Sequence, residues 1–225
     1  MSDSAASAAP STTVHLLRHG EVHNPAGVLY GRLPSYRLSD LGVRMAEVVA
    51  DRLRDHDITL IVSSPLERAQ QTARPLAELL DLPITTDDRL IEAGNRFEGR
   101  TFGVGNGSLR HPAVWPWLYN PVQPSWGEPY KVIAARMFAA VTTAREQARG
   151  HEAVCVSHQL PIWTARSAAQ GRRLWHDPRR RECALASLTS LSYVGDDLVA
   201  VTYDEPARDV VPHTAADTDH LDAGA

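Results

Sequence analysis

Three short apolar runs, residues 14–17, 59–62 and 153–156, each end in a polar knot, and a loop or helical pattern follows. The knots are Arg18-His19-Gly20, Ser63-Ser64-Pro65 leading to Arg68, and Ser157-His158-Gln159. Runs this short, continuous in Val, Ile and Leu, fit strands buried on both faces, and such strands occur in parallel sheets covered by helices. Between them lie helical patterns. One runs from a cap at Ser39 or Asp40 to about Arg54, with Leu41, Met45, Val48, Val49 and Leu53 on one face. A second opens with serines at the cap and Pro65 in the first turn, and Pro75 is expected to bend it. A third covers residues 130–148 and ends at Gly150, and a fourth begins near Leu160-Pro161. Residues 83–86 read as a short strand, and residues 185–193 and 198–203 as a hairpin turning at Gly195-Asp196-Asp197. The expected fold is α/β: a three-layer sandwich with a mostly parallel central sheet, an antiparallel edge and helices on both faces.

The domain is expected to span residues 13–204, between a disordered tail at 1–12 and a flexible, acidic, Ala-rich tail at 205–225. Residues 94–129 lack periodicity and are rich in Gly, Pro, Trp and Asn, as in an insertion forming a lid. Trp115, Trp117, Tyr119 and Trp126 would pack that lid, and Gly103-Val104-Gly105-Asn106-Gly107 follows no strand, which excludes a dinucleotide fingerprint. A net charge of −4 gives no general affinity for nucleic acid. No apolar stretch is long enough to span a bilayer, and the first ten residues lack the features of a signal peptide. A cytoplasmic location is expected. Cys155 and Cys183 are too few and too far apart for a disulfide framework or zinc ribbon; Cys155 reads as a buried thiol. The arginines at 172, 173, 179, 180 and 181, with Trp175 and His176, read as a solvated basic face, the alternative being contact with an anionic ligand.

In open α/β sheets, ligands gather at the carboxyl ends of the strands, so the three knots can converge. Arg68 would lie in the first turn of its helix, where free N–H groups and the dipole favour an anion, and the helix after His158 offers the same. Arginine suits phosphate oxygens and histidine can act as a covalent nucleophile, so the residues suggest phosphoryl transfer. His15, His19 and His23 recur every fourth residue, but a strand followed by a turn breaks the helical geometry a shared metal would need, and no metal or cofactor is expected.

The ordered blocks Leu16-Leu17-Arg18-His19-Gly20-Glu21, Gly31-Arg32-Leu33 with Leu38-Ser39-Asp40-Leu41-Gly42, Ser63 through Ala73, and Val156-Ser157-His158 resemble the histidine phosphatase superfamily, the phosphoglycerate mutase-like proteins. The resemblance implies that His19 is the nucleophile, forming a phosphohistidine that water hydrolyses. Arg18, Arg68 and His158 would bind and stabilise the phosphoryl group. It also implies a glutamate as general acid soon after the third strand. Glu92 fits that position, with Glu98 as the alternative because the following segment is about one residue shorter than usual. Asn24, Arg32 and Gln159 are candidate substrate contacts. Gln159-Leu160-Pro161, in place of Gly-Asn after the second histidine, and Glu21-Val22-His23-Asn24 both favour a phosphatase of a small phosphorylated metabolite over a mutase. A low-turnover phospho-ligand-binding or regulatory module is the reading from another class. A homo-oligomer is compatible with the sequence.

Overall fold

The computed structural model describes residues 9–101, 127–177 and 180–210. Their six strands form one mixed sheet of order β3-β2-β4-β1-β5-β6. The strands are β1 (Ser11–Arg18), β2 (Ile58–Ser63), β3 (Ile84–Thr86), β4 (Glu152–Ser157), β5 (Leu188–Val194) and β6 (Asp197–Asp204). The helices are α1 (Asp40–Leu53), α2 (Glu67–Leu80), α3 (Tyr130–Gln147) and α4 (Gln159–Ala169). β4 runs parallel to both β1 and β2, β2 runs parallel to β3, and the β5–β6 hairpin joins β1 antiparallel.

Alternation along the strands sorts the core into two layers. Val14, Leu16, Ala153 and Cys155 pack with Ile133 and Met137 of α3 and Ile162 of α4. Leu17, Val154 and Val156 pack on the other face with Met45, Val49 and Leu53 of α1 and Leu76 of α2. The three-layer α/β sandwich is therefore observed. Burial pushes the Cys155 thiol up to about 12, so it acts as a core residue.

Several boundaries differ from expectation, each for a visible reason. β1 starts at Ser11, within the expected tail, because Ser11 and Thr12 pair with Val194 and Tyr193 of β5. The ordered chain also runs past Asp204: Ala207 and Val210 join the α1/α2 layer, and residues Arg208–Val210 form a 3-10 turn. α1 is capped as expected, with Ser39 Oγ accepting from the Gly42 N–H at 3.0 Å. α2 is not. Its N-cap is Leu66 with no side-chain cap, since Ser63 and Ser64 face the end of the sheet, and the helix continues through Pro75 to Leu80. Of the expected tails and insertion, residues 1–8, 102–126 and 211–225 lie outside the described residues, as do the four insertion aromatics and the Gly103–Gly107 loop.

Candidate active site

The register of the parallel strands aligns Arg18 with Ser157, and Ser63 with Val156, so all three polar knots leave the sheet at one end. The backbone ties them together: the His19 N–H donates to Ser157 O at 3.1 Å, and the Ser64 N–H to Val156 O at 2.8 Å. Arg18, His19, Arg68, His158 and Glu92 are all buried, at 4% exposure or less. Two arginines this deep, held beside two histidines and one carboxyl, make a strongly cationic pocket.

His19 sits in the turn after β1. Its Nδ1 lies 2.8 Å from Gly20 O, which can only accept, so the ring proton is on Nδ1 and Nε2 carries the lone pair. That Nε2 is buried and has no hydrogen-bond partner among the described residues. Burial, together with the Arg68 and Arg18 charges, holds His19 well below the usual histidine range, so the imidazole stays neutral. The turn is held from behind by α1. A Cβ on Gly20 would stand 2.6 Å from Gly42 O, and one on Gly42 would stand 2.1 Å from Glu21 O. Only glycine at both positions lets the helix start approach this closely.

Arg68 lies in the first turn of α2, donates to Gly31 O at 2.7 Å and stacks over Tyr30, 4.7 Å from the ring centre. Arg18 donates from Nη1 to Cys183 O at 2.6 Å. The two histidine rings are 5.1 Å apart, with the His158 Nε2 2.8 Å from Ser64 Oγ. Ser64 Oγ already accepts from the Leu66 N–H at 3.3 Å, so its own proton can go to His158 Nε2. His158 is then protonated at Nδ1, an atom with no other partner among the described residues. His158 is held neutral by burial and by Arg68.

Glu92 follows the 3-10 turn Asp88–Leu90. Its Oε1 accepts from the Ala93 N–H at 2.7 Å, and burial outweighs the nearby arginines to push its carboxyl up. Glu98 is only partly buried, and its Oε1 accepts from the Asn95 N–H in the turn facing Gly31.

The proposed substrate contacts divide. The Asn24 side chain both donates to and accepts from Val28, at 2.9 and 3.0 Å, and so closes its own loop. Arg32 donates to Glu92 O at 2.6 Å and to Glu128 at 2.9 Å, positioning the Glu92 loop. Both side chains are engaged with the protein, and their contact with substrate stays a proposal. Gln159 is buried and accepts from Arg181 at 3.0 Å. Arg181 departs from the expected solvated basic face, on which Arg172, Arg173 and Arg180 are exposed. It turns inward, donates to His176 Nε2 at 2.9 Å, and its charge acts on Glu92. Tyr30 and Ser64 were also missed as site residues. The Ser64 signal was present, but serines before a helix suggest caps.

The comparisons agree with this geometry. The sequence pattern of the histidine phosphatase superfamily (branch 1) matches residues 14–206. The chain is 60% identical over 196 residues to the uncharacterized protein Rv0525 of Mycobacterium tuberculosis, covering 87% of this chain and 97% of that one. It is 32% identical to the Probable phosphoglycerate mutase GpmB of Yersinia pestis, covering 94% and 96%. Among solved structures it is similar to the mycobacterial glucosyl-3-phosphoglycerate phosphatase Rv2419c, with a TM-score of 0.69 and 26% identity over 87% of this chain and 98% of that one. A match across nearly the whole folded domain, on the same strand ends that carry the buried arginines and histidines, places this chain in the histidine phosphatase superfamily.

Proposed function

We propose that this protein is a phosphomonoesterase that hydrolyses a small phosphorylated metabolite through a phosphohistidine on His19. The observation that carries this reading is the His19 tautomer: Nδ1–H is engaged by Gly20 O, and a buried, neutral Nε2 is left among Arg18, Arg68 and His158. Nε2 attacks phosphorus in line as the bond to the leaving oxygen breaks. Arg18, Arg68 and the His158 Nδ1–H take up the charge on the phosphoryl oxygens. Glu92, whose raised pKa favours the acid form, donates its proton to the leaving alkoxide. The resulting carboxylate then takes a proton from water, whose oxygen attacks the phosphohistidine and releases inorganic phosphate. Metal ions are not needed for any of these steps.

Arg181, beside Glu92 on the leaving-group side, supports a substrate whose alcohol carries a further anionic group. The likeness to glucosyl-3-phosphoglycerate phosphatase supports hydrolysis. A mutase reading in the same fold is favoured by the likeness to GpmB. A panel of sugar phosphates, phosphoglycerates, nucleotides and phosphopeptides, assayed for both phosphate release and phosphoryl return, distinguishes them. Stoichiometric phosphate release without isomerised product supports the phosphatase, and isomerisation in excess of release overturns it. Binding without turnover of any substrate would favour the regulatory reading.

A further inference from the structure

At the opposite end of the sheet from the phosphate pocket lies a second cluster of titratable side chains, which the proposed reaction does not use. His15 points from β1 to the α1/α2 side, Glu152 is the first residue of β4, and His56 lies in the connection between α1 and β2. His15 Nε2 and His56 Nδ1 meet the same carboxylate oxygen, Glu152 Oε2, at 2.8 and 2.7 Å. The three ligand-capable atoms all lie within 4.8 Å of one another. Behind the cluster, His15 Nδ1 is 2.7 Å from Ser190 Oγ on β5.

We propose that His15, His56 and Glu152 form a binding site for a divalent transition-metal ion, with Zn²⁺ the best match and water as the fourth ligand. Two imidazoles and one carboxylate are a donor set that zinc accepts, whereas calcium and magnesium prefer oxygen alone. The protein already has the outer hydrogen bond such sites use: Ser190 Oγ can accept the His15 Nδ1–H and so direct the Nε2 lone pair at the ion.

The backbone carrying these groups is fixed. The His56 N–H donates to Leu53 O at 3.1 Å, the Ile58 N–H to His56 O at 2.9 Å, and the Glu152 N–H to Asp57 O at 2.9 Å. Exposure is graded, with side-chain values of 6% for His15, 26% for Glu152 and 34% for His56, so one side is open for an ion and its water. Donors around a tetrahedral zinc stand roughly 3.3 Å apart, so the hydrogen-bonded spacing must open by about half an ångström. The two half-exposed side chains can supply that movement.

The proton balance is simple. Each neutral imidazole keeps its one proton and moves it to the nitrogen that does not face the ion. On His15 that is Nδ1, toward Ser190, and on His56 it is Nε2. Glu152 supplies the negative charge as a carboxylate, which is ionised near neutral pH. Without the ion the same three groups satisfy one another, so the chain folds metal-free, and a bound ion would brace the junction of β1, β4 and the α1–β2 connection.

The test uses the full-length chain, stripped with chelator and then titrated with Zn²⁺, with metal content measured after gel filtration. The expected result is one tightly held zinc per chain, a zinc-dependent rise in Tm, and visible absorption of a four-coordinate site when Co²⁺ replaces zinc. His56→Ala and Glu152→Gln should each weaken binding at least about 10-fold and abolish the Tm rise. Their phosphatase activity without metal reports whether each variant is folded. Two results would overturn the proposal: no retained zinc in the unsubstituted chain, or equal retention in both variants, which would put the ion elsewhere, as at His19 and His158.

Discussion

His19 and Glu92 share one pocket, yet burial acts on them in opposite chemical directions. Burial disfavours whichever form is charged, so the imidazole stays a free base and the carboxyl is pushed toward its acid form. These are the two forms the first step of the proposed reaction needs. His19→Ala should lower turnover of any phosphate ester by at least about 10³-fold while circular dichroism is unchanged; substantial activity would remove the histidine from the mechanism. The pH dependence follows from the same two groups. Because His19 is held well below 6.5, kcat/KM should show no acid limb at that value. Activity should fall as the pH rises through the elevated pKa of Glu92, and Glu92→Gln should eliminate that limb, leaving only the limb due to the substrate phosphate. The same variant should slow substrates with poor leaving groups more than activated aryl esters; equal slowing would shift the acid role to Glu98. Burying a carboxylate also costs stability above its ordinary pKa, so Glu92→Gln should unfold no more easily than the native chain at pH 7.

At the scale of elements, the site depends on how closely helices approach the strand ends. α1 presses on the turn after His19 through Gly42, whose added Cβ would meet the Glu21 carbonyl. Gly42→Ala should therefore cost about 1–3 kcal/mol in urea unfolding and lower kcat, since the displaced turn carries His19. α2 offers the opposite case. Its C-cap Asp81 is left-handed at φ 53° and exposed, with its N–H on Ala77 O. Asp81→Gly should raise stability by up to about 1 kcal/mol without changing kcat, because the change is far from the pocket in chain and function. The elements themselves were legible wherever period and punctuation agreed: α1 from Ser39 onward, α3 up to Gly150, and the β5–β6 hairpin. α2 starts later than its serines suggest because Ser64 meets two demands, and its contact with His158 across 94 residues takes the place of the local cap. Arg181 was hidden for a similar reason. Nothing local separates it from its exposed neighbour Arg180, and only Gln159 and His176 turn it inward.

Across the whole molecule, charge is placed at both ends of the sheet: the cationic pocket at one, and His15, His56 and Glu152 at the other. Glu152 has a folded-state pKa of about 2 against an ordinary 4.5. Its contribution to stability is therefore complete above about pH 4.5 and is lost as the pH falls toward 2. In chelator, Glu152→Gln should cost on the order of 1–2 kcal/mol at pH 7, once solvent screening is allowed for, and almost nothing near pH 2. Urea unfolding of both chains at the two pH values checks this; a difference that persists in acid would point to packing and not charge.

The sequence by itself determined the α/β layering, since apolar runs and helical periods are local patterns that each segment carries alone. It also indicated Arg18, His19, Arg68 and His158, because each stands at a strand end or helix start marked by its neighbours, whereas Glu92 was indicated by the family resemblance. Only the tertiary structure decided which nitrogen of His19 is free, that Asn24 closes its own loop while Arg32 holds the Glu92 loop, and that Arg181 faces the pocket. The physical reason is that protonation, burial and hydrogen-bond partners depend on atoms brought together from strands far apart in the chain.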